Sequence, residues 1–269
     1  MLNRINNISR YFKNQIMSKN IEISTKSLDI SSTLRTVVVT TLVFVGSQFL
    51  AALFITSILI GVGIKPEKVA ESINQNDMVR FFLLLTIDII VVWFVFLLLR
   101  RAKEKFANIG VAGKLKIKHV VVALKAYAAY FVMFLFVISL AGALGLFNTN
   151  QAQDIGFHEP HGYHLVIAFV SLVVLPPIAE EIVFRGYLYH RLKKSTRTAV
   201  AVLITAILFA SAHLEIGSGG PLNWAAAVDT FILSFALTYV TERSKSLWPA
   251  MLVHAIKNAV AFTALFLIK

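Results

Sequence analysis

The sequence predicts an all-α polytopic membrane helix bundle with seven to eight transmembrane helices, and three observations predict it. Hydrophobic residues make up 57% of the 269-residue chain and charged residues only 15%, against about 25% charged in an ordinary soluble domain. Apolar runs approaching the roughly 20 residues that a bilayer span needs recur along most of the chain. Lys and Arg fall between those runs, as in the loops of a membrane protein. Because the basic residues do not gather on one solvated face, the net charge of +12 does not point to a nucleic-acid partner. The absence of cysteine excludes disulfides, thiolate catalysis and Cys-ligated metal.

Residues 1–35 are mostly polar and basic, carry no signal-peptide pattern, and are expected to form a cytoplasmic N-terminal tail or surface helix. Residues 36–269 form one membrane domain with candidate spans at 36–62, 80–99, 120–146, 164–188, 198–214, 223–241 and 248–268; an eighth arises if one segment is broken. Loop charge supports this order. The tail is basic, IKPEKVAESINQNDM is balanced, the block from Arg100 to Lys118 is strongly basic, and NTNQAQDIGFHEPHGYH has no Lys or Arg. Arg185, Arg191, Lys193, Lys194 and Arg197 follow, then the neutral-to-acidic EIGSGGPLN, then Arg243 and Lys245. The alternation places the N-terminus in the cytoplasm and the C-terminus outside. The expected location is the cell membrane, with lipids around the bundle. No feature sets an oligomeric state.

Inside SLVVLPPIAEEIVFRGYLYHRL stand Glu180 and Glu181. A charge at the centre of a membrane helix costs about 3 kcal/mol, so each carboxylate needs a partner or a use. Glu181 and Arg185 are four apart and share a helix face, where they can pair. Glu180 lies about 100° around the helix and is free to act as a proton acceptor. Pro176 and Pro177 remove two backbone donors and open carbonyls. In the next span His213 follows Phe209 by four. Counted from the turn near 195–197, Glu180 is about 22 Å away and His213 about 25 Å, so an antiparallel pair brings them level. His254 and Asn258 share one face of the last span and could donate hydrogen bonds to a developing oxyanion.

Because His254 is only about 10 Å beyond its basic loop, the helix carrying Glu180 must project into the cytoplasm. The centre is then expected in the cytoplasmic half of the membrane, open to that side. Tyr187, Tyr189 and His190 are expected in an interfacial belt, and Trp248 with Pro249 as an interfacial anchor. Asp229 could line the cavity or take Ser or Thr donors. No cofactor is expected. The alternative is zinc on Glu180, His213 and His254, with water in the fourth position, although no H-E-x-x-H pair is present.

Glu180-Glu181-x-x-x-Arg185, Phe209-x-x-x-His213 and His254-x-x-x-Asn258, in this order over about residues 110–266, together with RGYLY and SLWPAMLVHA, resemble the CPBP family of intramembrane proteases. That family includes CAAX prenyl endopeptidases and bacteriocin-processing (Abi) or immunity proteins. The resemblance implies a catalytic core in that region, with water activated by Glu180 and His213. By the same resemblance His254 and Asn258 stabilise the oxyanion, while Glu181, Arg185 and Phe209 support them. The implied activity is CAAX protease-like endopeptidase cleavage of a membrane-associated peptide or lipidated protein C-terminus. Two other classes compete. One is a non-catalytic membrane scaffold or bacteriocin immunity protein using the same cavity, and the other is a proton-relaying transporter through Glu180 and Asp229. The chain shows no repeated half to support the transporter.

Overall fold

Where the polar tail meets apolar sequence, the Asp29 carboxylate accepts the Ser32 backbone N–H at 3.0 Å and caps helix α1 (Ile30–Gly61). The computed structural model describes residues 28–151, 155–157, 159–215 and 220–268. The expected tail therefore lies almost wholly outside the described residues, and from Ile30 onward it is already α1. The other helices are α2 (Val69–Gln75), α3 (Asp77–Arg101), α4 (Ile117–Ala143), α5 (Tyr163–Ser195), α6 (Thr198–Ser211), α7 (Trp224–Ser244) and α8 (Trp248–Phe266). Single 3₁₀ turns lie at Pro66–Lys68 and Phe106–Ile109. Among the described residues six helices, α1, α3, α4, α5, α7 and α8, are long and apolar enough to cross a membrane. The run expected at 198–214 forms the 14-residue α6, about 21 Å long.

The packing is inside-out relative to a water-soluble domain. Leu42, Phe49, Val132 and Phe136 are exposed, whereas the buried stripe of α1 is built from Thr33, Thr36, Thr40, Ser47, Ala51, Ile55 and Leu59. Lipid tails are as apolar as Leu, so large side chains lose nothing by facing outward, and small ones inside let helices approach closely. Of these interior hydroxyls, Thr36 donates to the Ser32 carbonyl and Thr40 to the Thr36 carbonyl within their own helix, each at 2.8 Å, while Thr33 pairs with Ser195 of α5 at 3.0 Å.

Helix α5 is the hub. Every residue from Glu181 to Tyr189 is buried, because α1, α3, α6, α7 and the 106–109 turn surround this stretch. Val170–Val174 and Ile182–Tyr189 widen into π-helical turns. Gly186 allows the closest approach, since a Cβ there would stand 2.9 Å from Ile109 Cδ1 and 3.2 Å from Leu247 Cδ1. The α7–α8 turn thus sits level with Gly186, and α5 runs roughly 14 Å past it. Tyr187 and Tyr189 are consequently core residues and not the interfacial belt that their neighbourhood suggested.

Hydrogen bonds sort the connections into two ends. At one, Asp29 N–H donates to the Ser195 carbonyl at 2.9 Å, Leu247 N–H to that of Gly110 at 3.0 Å, and Trp248 Nε1–H to that of Gly113 at 3.1 Å. Glu104 receives Arg191 at 3.0 Å and Lys194 at 2.7 Å. This is the end of the basic loops. At the other, Gln151 donates to the Leu222 carbonyl at 3.0 Å and accepts the Trp224 N–H at 3.1 Å, and His164 lies 3.0 Å from Asp77.

Burial alone would raise the Glu104 pKa, but the Lys194 hydrogen bond and the charges of Arg191, Lys194 and His190 outweigh it and hold the carboxyl below its ordinary value. A lowered folded-state pKa contributes stability above the unfolded value, near pH 4.3, that is lost as pH falls through the folded one. Glu104→Gln should therefore reduce thermal stability at pH 7 and flatten its acid limb, measured by melting of the detergent-solubilised protein between pH 7 and 3.

Candidate active site

The site is assembled on α5, α6 and α8. Glu181 and Arg185 pair as their spacing requires: Arg185 Nη1 donates to Glu181 Oε1 at 3.0 Å with both side chains fully buried. Arg185 also donates from Nη2 to Ser234 Oγ on α7 at 2.8 Å. The same Glu181 oxygen lies 3.0 Å from His254 Nδ1. A carboxylate paired to arginine only accepts, so Nδ1 carries the proton and Nε2 faces away, 3.9 Å from Glu180 Oε2. Glu181 therefore orients His254 as well as pairing with Arg185.

His213, just beyond the end of α6, is fixed by a similar device. Its Nδ1 lies 2.8 Å from the Phe209 carbonyl, which can only accept, so Nε2 carries the lone pair in the neutral ring. Phe209 itself is fully buried. Its ring centroid lies 4.9 Å from that of His213 and 5.7 Å from that of His254, and the Arg185 guanidinium stands 4.2 Å over it. The F-x-x-x-H spacing thus places one aromatic side chain between both imidazoles and the buried cation.

Asn258 sits one turn beyond His254, and its Nδ2 donates to the Leu172 carbonyl at 2.9 Å. That carbonyl is the one that the two prolines orphan. In an α-helix its donor would be residue 176, in a π-helix residue 177, and neither Pro176 nor Pro177 has an N–H. One amide hydrogen of Asn258 is therefore committed to the backbone, and the second is left for the cavity.

Glu180, His213, His254 and Asn258 line one cavity of about 420 Å³, together with Leu172, Pro176, Lys257 and Phe262. Glu180 Oε2 has no hydrogen-bond partner among the described residues. The sequence-predicted set is therefore brought together, but the cavity does not open where expected. It runs from Glu180 and His254 toward Arg80 in the first turn of α3, Ile155, and Leu265 in the last turn of α8, at the end away from the basic loops. Depth counted along the helices was sound; α5 does project past the α7–α8 turn. What closes the basic side is the packed Glu181–Arg185 pair, which the counting could not reveal.

Lys257 and Asp88 did not stand out in sequence. Lys257 pairs with Asp229 at 3.1 Å, and Asp229 also accepts the Tyr130 hydroxyl, so its partners are Lys and Tyr and not Ser or Thr. Asp88 lies on α3 in an apolar groove with Trp93, Phe96 and Ile178. The rule that singles out Glu180, a charge inside an apolar run, flags both. For zinc, a donor triad must converge on one point within about 2.0–2.2 Å of each atom. Among the described residues no three His, Asp or Glu side chains do so, and Glu180, His213 and His254 as arranged do not fit the ion.

The family model described as "Type II CAAX prenyl endopeptidase Rce1-like" matches residues 162–260, a shorter stretch than 110–266 that holds every candidate residue. The match bears out the resemblance to the CAAX protease family. No curated protein and no solved structure matches the chain.

Removing Arg185 should leave the Glu181 charge buried alone. Arg185→Met is expected to cost about 3–5 kcal/mol, read as a fall in melting temperature, and Glu181→Leu in the same chain should restore part of it. Asn258→Ala should lower stability by about 1 kcal/mol through the freed Leu172 carbonyl, whereas Asn258→Gln tests whether reach alone matters.

Proposed function

We propose that this membrane bundle, with its Rce1-like segment at residues 162–260, is a CAAX protease-like intramembrane endopeptidase of the cell membrane that hydrolyses a peptide bond in a membrane-associated peptide or lipidated C-terminus. The observation that carries the reading is Glu180: a carboxylate oxygen without a partner, in one cavity with two imidazoles and an amide from α6 and α8. A carboxylate so placed suits proton abstraction from water, and His213, offering Nε2, suits holding that water.

In this scheme water gives a proton to Glu180 as its oxygen bonds to the scissile carbonyl carbon. The carbonyl oxygen becomes an oxyanion and takes the second N–H of Asn258. His254 joins as a donor from Nε2 when it carries a second proton, with Glu181, held by Arg185, as counter-charge. The C–N bond then breaks and Glu180 returns its proton to the leaving amine. Each step uses side chains of this protein alone, without a metal ion.

Glu180→Gln keeps the shape of the side chain but removes the base. It should lower cleavage about 10²–10⁴-fold with an unchanged melting temperature, measured with fluorogenic membrane-anchored peptides and by profiling of membrane-protein termini. Cleavage at the native rate by Glu180→Gln and Glu180→Ala would overturn the reading and favour the scaffold or immunity alternative. The metal-free scheme expects activity to persist after exhaustive chelation; stoichiometric zinc with chelator-sensitive cleavage would overturn that part.

A further inference from the structure

We propose that the site takes its substrate from the side of the membrane opposite the cytoplasm: a peptide segment exposed at the extracytoplasmic face, with apolar residues beside the scissile bond. This rests on the proteolytic reading for the word substrate, but the sidedness rests on the direction of the cavity and the charge of the loops.

The first observation is the direction of the cavity. From Glu180 and His254 it extends to Arg80, Ile155 and Leu265, and all three belong to the end that the Gln151–Leu222 and His164–Asp77 contacts tie together. The second is the seal behind it. Toward the basic end the next side chains on α5 are Glu181 and Arg185, fully buried, with Phe209 under the guanidinium. A separate cavity of about 720 Å³ reaches Arg185 from the basic end, lined by His190, Lys193 and Lys194 among others. The ion pair is therefore a partition between two cavities.

The third observation fixes which side is which. The connections at the sealed end carry the basic blocks 100–118, 191–197 and 243–245, while 144–162 and 212–223 at the open end have no Lys or Arg and 62–76 balances Lys65 and Lys68 with Glu67 and Glu71. Basic loops stay in the cytoplasm. The open end is thus extracytoplasmic. Leu84, Leu172 and Phe262 on the cavity wall suit apolar side chains of an anchored peptide.

The chain has no native cysteine, so single-cysteine labelling needs no background removal. Ala261→Cys, on the cavity wall, should react with a membrane-impermeant maleimide in intact bacterial cells expressing the full chain, and Lys114→Cys, exposed on the basic loop, only after permeabilisation. Ala261→Cys reacting only after permeabilisation, or Lys114→Cys reacting in intact cells, would overturn the sidedness. In a second arm an acyl-anchored fluorogenic peptide is added to sealed vesicles. Cleavage by right-side-out vesicles, lost in inverted ones and in Glu180→Gln, is the expected result. Cleavage by inverted vesicles alone overturns the sidedness and leaves the protease standing. No cleavage in either orientation or in detergent overturns the protease, and labelling alone then decides the side.

Discussion

One buried ion pair, Glu181 with Arg185, ties together the helices that carry the site. Both side chains are fully buried, and in that surrounding an ion pair is helped by every further hydrogen bond to its oxygens and N–H groups. Other helices supply several of these: Arg185 Nη2 reaches Ser234 on α7 and the guanidinium lies over Phe209 on α6, while Glu181 Oε1 takes His254 on α8. The pair is therefore a joint among four helices whose geometry is dictated by hydrogen-bond directions. Hydrocarbon packing between membrane helices is weakly directional, since lipid competes equally for apolar surface. A charged joint supplies the direction that packing lacks.

The consequence is a division of labour within the doubled glutamate. Glu181 Oε1 takes both an arginine and an imidazole, while its neighbour, about 100° around the helix, meets only the far nitrogen of that imidazole, at 3.9 Å. Glu180 is left with an oxygen that nothing in the described protein satisfies. The prolines produce the same kind of asymmetry in the backbone. Pro176 and Pro177 between them remove both helical donors to the Leu172 carbonyl, and Asn258 supplies one from α8. The distorted turn of α5 and the polar face of α8 thus require each other.

Much of this is legible in sequence because it is periodic. E-E-x-x-x-R declares an i,i+4 pair, F-x-x-x-H and H-x-x-x-N declare shared faces, and the alternating loop charge orders the spans. The hairpin count that levelled Glu180 with His213 worked because both distances start from one turn. What stayed hidden depends on how helices are staggered. The α7–α8 turn is recessed to the level of Gly186, which buries Tyr187 and Tyr189 and lets His254 meet Glu181 from a short distance along its own helix. Depth is also a single coordinate: it places residues at one level without saying on which side the packing is closed. Lys257, Asp229 and Tyr130 lie on three helices far apart in the chain, and no spacing announces them.

The arrangement also bears on the choice between catalyst and scaffold. A cavity that only held a partner would gain nothing from a buried carboxylate, since taking that charge out of water is costly. An apolar residue at 180 would make a more stable wall against Leu172 and Phe262. The histidines point the same way, since each has Nδ1 fixed by an acceptor outside the cavity, Glu181 in one case and the Phe209 carbonyl in the other. Fixing Nδ1 costs rotational freedom and leaves Nε2 of each ring in a defined protonation role. A binding surface needs shape and complementary polarity; it does not need two imidazole tautomers held by separate partners beside an unpaired carboxylate. Acid–base chemistry needs all three, and it needs them where the ion pair closes the cavity against the basic side.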